Sequence, residues 1–282
     1  MAPGRGVDSD DPAPDVRNAL APLLIHPTST AILTDFDGTL SPIVSDPYEA
    51  RPLTGAAEVM ATLAARFGDV AVISGRPVSF LEEHLITPEV ASGEHRLRLV
   101  GLYGLEQSWG DGRIEVEPEA LGWHQVVNSA VARLERDAPA GVLVEPKGLA
   151  VTVHWRRAPQ AEVWATTAVA AEVERSGLRA HPGRMSVELR PPIDVDKGTV
   201  VRRLVGSSSA ACYFGDDLGD LPAFDALRSL AARGGIDTVA VAVVDEESEP
   251  RVAAAADVVV SGPAAALEVL AWLSRSAAVP DG

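Results

Sequence analysis

Short apolar runs and longer amphipathic segments alternate along most of this chain. Ala31–Asp35 reads as a strand, and Thr54–Gly68 as a helix with Thr54 as its cap and Gly68 just past its end. Val70–Ser74 reads as a second strand, followed by a helix over Pro77–Leu85 with proline in its first turn. Further on, the pattern predicts a helix over Lys197–Leu204, a strand over Ala210–Asp216 and a helix opening at Leu221. Strands over Thr238–Val243 and Ala256–Val260 and a helix over Pro263–Ser276 complete the series. Strands that are apolar on both faces and alternate with helices indicate a parallel sheet covered on both sides. The expected fold class is therefore α/β, with a Rossmann-like parallel-sheet core.

The middle of the chain has a different pattern. Leu97–Tyr103, Arg113–Val116, Val142–Glu145, Leu149–Trp155 and Ser186–Leu189 alternate apolar and polar positions, with turn signals at Gly110–Arg113 and Pro146–Gly148. Helical patterns over Glu119–Arg136 and Gln160–Ser176 lie among them. This predicts a smaller α+β domain over 106–187, inserted between two stretches of core, 18–105 and 188–282. The Pro-, Gly- and Asp-rich segment 1–17 is expected to be a disordered tail.

Composition narrows the partners. The chain has 24 Lys and Arg against 40 Asp and Glu, a net charge of −16, which disfavours nucleic acid and anionic lipid surfaces. Cys212 is the only cysteine, so there is no internal disulfide and no multi-cysteine metal site. No apolar run approaches the roughly 20 residues that span a bilayer, and the opening segment lacks an apolar core of the secretory type. A soluble, cytoplasmic monomer acting on a small molecule is expected.

Three of the apolar strands end on polar residues: Asp35, Ser74 and Asp216. The carboxyl ends of parallel strands line one edge of a sheet, where ligands bind. In DFDGTL, Asp35 is suited to attack phosphorus and form an aspartyl phosphate. Asp37, two residues on, is suited to protonate a leaving alkoxide and then deprotonate a water. In ISGRP, the Ser74 hydroxyl and Gly75 amide suit a phosphate, and Arg76 could reach substrate. Lys197 opens a helix, where it opposes the helix dipole, so a phosphate or the Asp35 carboxylate is its expected partner. Asp216, Asp217 and Asp220 crowd together after a strand, an arrangement that a hard divalent cation relieves.

Together these four segments resemble the haloacid dehalogenase phosphohydrolase superfamily, over about 27–105 and 188–275. The resemblance implies Asp35 as nucleophile, Asp37 as general acid and base, and Ser74, Gly75 and Lys197 at the phosphate. It also implies Mg²⁺ held by Asp35, the Asp37 backbone carbonyl and Asp216, with Asp217 and Asp220 in support. The insert falls where that superfamily carries an α/β cap. Its VEPKGLAVTVHWR and GRMSVELRPP segments resemble the trehalose-6-phosphate phosphatases. This implies a sugar phosphate substrate, trehalose 6-phosphate, bound by Glu145, Lys147, Arg156, Arg184 and Glu188. The family's usual E-H-G reads Leu102-Tyr103-Gly104 here, which leaves a contact at the cap hinge undefined. Phosphatases for mannosyl-3-phosphoglycerate or sucrose phosphate are the nearest alternatives. A phospho-accepting signalling module is a further one, although it needs no sugar-sized insert.

Overall fold

The computed structural model describes residues 11–88, 97–246 and 248–277. Twelve strands occur among them. They are β1 (Thr30–Thr34), β2 (Asp69–Ile73), β3 (Leu97–Gly101), β4 (Glu106–Ser108), β5 (Glu115–Val116), β6 (Leu143–Pro146), β7 (Val151–His154), β8 (Arg179–Gly183), β9 (Ser186–Arg190), β10 (Ala210–Gly215), β11 (Asp237–Val244) and β12 (Val258–Ser261). The helices are α1 (Pro14–Leu20), α2 (Ala56–Ala64), α3 (Val78–Leu85), α4 (His124–Asp137), α5 (Glu162–Ser176), α6 (Lys197–Val205), α7 (Leu221–Ala232), α8 (Pro250–Ala255) and α9 (Gly262–Ser276).

The strands form two sheets. The larger runs β12-β11-β10-β1-β2-β3-β4-β5, parallel from β12 to β3 and antiparallel beyond. Alternation along β1 and β10 sorts side chains to its two faces. Ile32, Cys212 and Phe214 join the layer with Met60, Leu81 and Leu270, whereas Ala31, Leu33 and Tyr213 join Val200, Phe224 and Leu227. A fully buried sheet needs apolar residues on both sides, which is why these strands read as continuous apolar runs. The fold is that of the α/β class expected from the sequence.

The smaller sheet, β6-β7-β9-β8, is antiparallel throughout. Its Val151, Val153, Val187 and Leu189 pack on Val127, Leu134 and Val169 from α4 and α5. The opposite face is polar. Register aligns Glu145 with Thr152, Thr152 with Glu188, and Glu188 with His181, so one row of polar side chains crosses all four strands.

Several elements differ from their sequence expectation. β4 and β5 hydrogen-bond onto the large sheet rather than onto the insert's sheet, because β4 pairs with β3. Antiparallel alternation carries no mark of which sheet a hairpin will extend. Pro14–Leu20 is a helix rather than part of a disordered tail, with Leu20 buried and Val16 packed on the core. Residues 1–10 lie outside the described residues. Thr54 does not cap α2; that position belongs to Gly55, at φ 87°. α2 ends at Ala64, before Gly68, whose hydrogen faces the Thr28 carbonyl at a distance no Cβ fits.

Candidate active site

β1 and β10 are neighbours in register, so their carboxyl ends bring Asp35 and Asp216 together. Asp35 is buried, and its amide donates to the Phe214 carbonyl at 2.8 Å. The turn after it depends on Gly38, at φ +75°. A Cβ there would lie 2.0 Å from Asp216 Oδ2, so both backbone conformation and space demand glycine.

Lys197 stands at the first position of α6, behind an Asp196 cap. It is 3% exposed, and its Nζ lies 2.8 Å from Asp35 Oδ2 and 2.6 Å from Asp220 Oδ1. Asp220 also accepts from the Tyr213 hydroxyl at 2.6 Å and from the backbone amides of Asp216 and Asp217 at 2.9 and 3.1 Å. Four donors on two oxygens fill its capacity. Asp220 therefore holds Lys197 and the loop in place. Asp217 is exposed and caps the short turn that follows by accepting from Gly219.

Carboxylate oxygens of Asp35, Asp216 and Asp220 lie within 4.8 Å of one another. Burial pushes the Asp35 carboxyl well above its usual range; Lys197 opposes this, and Asp220 and Asp217 add to it. Burial also raises Asp216, with Asp220 and Asp35 adding to the effect. With Asp220 spent on protein donors, Asp35 and Asp216 offer an all-oxygen, negatively charged pair that fits a hard divalent cation. This buried acidic group is able to hold a metal.

Asp37 is held differently. Arg76 Nε donates to Asp37 Oδ2 at 2.7 Å and its Nη2 to Oδ1 at 2.8 Å, a bidentate pair. Nη1 donates to the Pro47 carbonyl at 2.8 Å and lies 3.6 Å from Glu145. Arg76 was expected to reach substrate; here these three nitrogens have protein partners, and its guanidinium lies 4.6 Å from the Phe80 ring centre. Ser74 is buried, and its hydroxyl accepts from the Arg76 amide at 3.1 Å. A Cβ on Gly75 would fall 2.5 Å from the Tyr103 hydroxyl, so the glycine makes room for that ring.

The polar face of the small sheet meets this region. Glu188 accepts from Lys147 Nζ at 3.0 Å, from Thr152 Oγ1 at 3.1 Å and from Arg190 Nε. Glu145 pairs with His154 Nε2 at 2.8 Å and lies 3.6 Å from Lys147. Burial works against the charge on Glu188, yet Lys147 and Arg190 draw its pKa down to about 2. Glu145 is lowered in the same way, against its burial, chiefly by His154 and Lys147. Arg157 of the insert pairs with Asp46 of the core at 2.9 Å.

Arg156 stands apart from that cluster. With Asp216, Gly38, Pro42–Ser45 and the end of β11 it lines a cavity of about 570 Å³. Arg184 is exposed at the turn between β8 and β9. Sequence reasoning gave no role to Arg190 or Tyr103, which the structure brings beside Glu188 and Gly75 respectively. The signal for Arg190 was its position two residues after Glu188 in a strand, which puts both on one face.

The fold is shared with a haloacid dehalogenase-like hydrolase from Bacteroides thetaiotaomicron, with TM-score 0.53 at 14% identity over 86% of this chain and 99% of that one. A family model for trehalose-phosphatase matches residues 33–257. A trehalose-phosphate phosphatase of Mycolicibacterium paratuberculosis is 38% identical over 219 residues, which is 74% of this chain and 53% of that protein. Among solved structures, the C-terminal domain of a Candida albicans trehalose-6-phosphate phosphatase shares the fold, with TM-score 0.71 at 22% identity over 95% of this chain and 99% of that one. An Aspergillus fumigatus trehalose-6-phosphate phosphatase is 26% identical with TM-score 0.62, over 95% and 100% of the two chains. The chain belongs to the trehalose-phosphatase family. It spans about half the length of the curated relatives it matches.

Proposed function

We propose that this chain hydrolyses trehalose 6-phosphate to trehalose and inorganic phosphate. The observation that carries the reading is the contact of Asp35 with Lys197 at 2.8 Å beside Asp216, within a chain of this family. Asp35 attacks the phosphorus, the bond to the sugar oxygen breaks, and an aspartyl phosphate forms. Asp37 gives the leaving oxygen its proton, then takes a proton from the water that releases phosphate. Lys197, Ser74 and the Gly75 amide bind the phosphoryl oxygens. Arg76 orients Asp37 rather than the sugar.

Mg²⁺ is the proposed cation, held by Asp35, Asp216 and the backbone carbonyl of Asp37, where it supplies positive charge against the phosphoryl oxygens. Residues 117–190 act as the cap. Glu145, Lys147 and Glu188 offer charged donors and acceptors to sugar hydroxyls, with Arg156 and Arg184 at its margins.

The test is phosphate release from trehalose 6-phosphate, sucrose 6-phosphate and mannosyl-3-phosphoglycerate, with Mg²⁺ and with chelator. Trehalose 6-phosphate is expected to give the highest kcat/KM, and only with the metal. Asp35→Asn is expected to lose about 10³-fold or more in kcat while remaining folded. Preference for another sugar phosphate overturns the substrate, and an active Asp35→Asn variant overturns the nucleophile.

A further inference from the structure

Three successive residues where the chain leaves β3 have positive φ: Leu102 (48°), Tyr103 (60°) and Gly104 (117°). Left-handed backbone is costly for leucine and tyrosine, and such strain persists only where surrounding structure enforces it. Here the Leu102 amide donates to the Arg76 carbonyl at 3.0 Å and the Tyr103 amide to the Ser74 carbonyl at 2.9 Å, so this turn is strapped to the Ser74–Arg76 loop. The consequence is the position of one ring. The Tyr103 hydroxyl comes to the face of Gly75 where any Cβ would clash, and the Arg190 guanidinium lies 3.3 Å from the ring centre on the insert's side. Arg190 is itself anchored by Glu188.

Tyr103 thus stands between two sets of charged groups, Lys197 at the large sheet and Lys147, Glu188 and Arg190 at the small one, all near enough to act on it electrostatically. The ring is sandwiched, so its direction is fixed. Among the described residues, no hydrogen bond satisfies its hydroxyl. A rigidly aimed phenol, able to donate and accept, is a recognition group without a protein partner.

We propose that Tyr103 is a substrate-contact residue that sets specificity: its hydroxyl hydrogen-bonds the phosphorylated sugar ring, next to the phosphoester that Lys197 and the Gly75 loop hold. This rests on the reading of the site as a sugar-phosphate phosphatase. Tyr103 takes no part in bond making. It ties the sugar to the phosphate loop, so its loss is felt by substrates that carry a sugar and not by those that carry only a phosphate.

Tyr103→Phe tests this, because it keeps the ring, the Arg190 stack and the backbone. Wild type and variant are compared on trehalose 6-phosphate, sucrose 6-phosphate, glucose 6-phosphate and p-nitrophenyl phosphate, with thermal melting alongside. For the sugar phosphate that wild type turns over best, kcat/KM is expected to fall about tenfold, the size of one buried hydrogen bond, mostly through KM. Turnover of p-nitrophenyl phosphate and the melting temperature stay unchanged. An equal fall on both substrate classes, or no fall on the sugar phosphate, overturns the proposal. If wild type prefers a sugar phosphate other than trehalose 6-phosphate, the proposed substrate fails while Tyr103 is still read on the preferred one. If wild type hydrolyses p-nitrophenyl phosphate alone, both readings fall.

Discussion

The two sheets bury charge in opposite ways. At the strand ends of the large sheet, Asp35, Asp216 and Asp220 face one buried lysine, and burial drives Asp35 and Asp216 toward their neutral forms. On the small sheet, Glu145 and Glu188 meet Lys147, Arg190 and His154, and both carboxyls are held ionised against their burial. The first cluster is short of positive charge and is able to hold a cation. The second is balanced within itself and offers donors and acceptors of fixed direction. Buried charge is expensive unless paired, so a cluster left unbalanced marks where charge is to be supplied from outside, and a balanced one marks where shape is read.

The sharpest break of that contrast is Lys197→Met. Among the described residues, it removes the only cation within bonding distance of Asp35 and Asp220. Activity is expected to vanish and unfolding free energy to fall by about 3 kcal/mol, measured by denaturant titration without metal. Stability unchanged within error would show that the acidic cluster is not electrostatically strained.

A second, smaller effect separates the sheets by pH. A carboxyl whose folded pKa is raised binds its proton more tightly in the native state, so its contribution to stability declines as pH rises above the ordinary value of 3.8. Chelator-treated protein should therefore lose stability relative to Mg²⁺-loaded protein as pH rises from 5 toward neutrality, a widening gap in melting temperature. A gap independent of pH would mean the cation does not sit on Asp35 and Asp216.

The smallest expected effect is on the small sheet. The Glu188 carboxyl is lowered from 4.5 to about 2, so its stabilisation is complete above the unfolded value and lost as pH falls toward 2. Glu188→Gln should flatten acid unfolding in that window and cost about 1–3 kcal/mol at neutral pH, with little change in the pH range where the large sheet responds. An undiminished acid transition would place the sensitive carboxyls elsewhere.

The large sheet was the more legible in sequence. Its strands are buried on both faces, so apolar runs ending in Asp35, Ser74 and Asp216 announce both the strand and the edge. Parallel neighbours then converge without knowledge of any side-chain contact. The small sheet was harder to read. β8, Arg179–Gly183, is an edge strand with four of its five residues exposed and a proline within it, so neither alternation nor propensity marks it. β4 and β5 alternate as a cap hairpin would, and only pairing with β3 assigns them. Lys197 was visible as an odd residue at a helix start, but the saturation of Asp220 by four donors depends on loop geometry. The bidentate hold of Arg76 on Asp37 joins residues 39 positions apart through their side chains, which no local pattern encodes.

The return path from β9 has a mechanical consequence. Arg190, which stacks on Tyr103, and Lys197, which touches Asp35, are separated by the short segment 191–196. Seven residue steps of fully stretched chain reach at most about 25 Å. Whatever swing the smaller lobe makes, this leash limits how far its basic anchor travels from the core's buried ammonium, and so bounds the length of any molecule gripped at both ends.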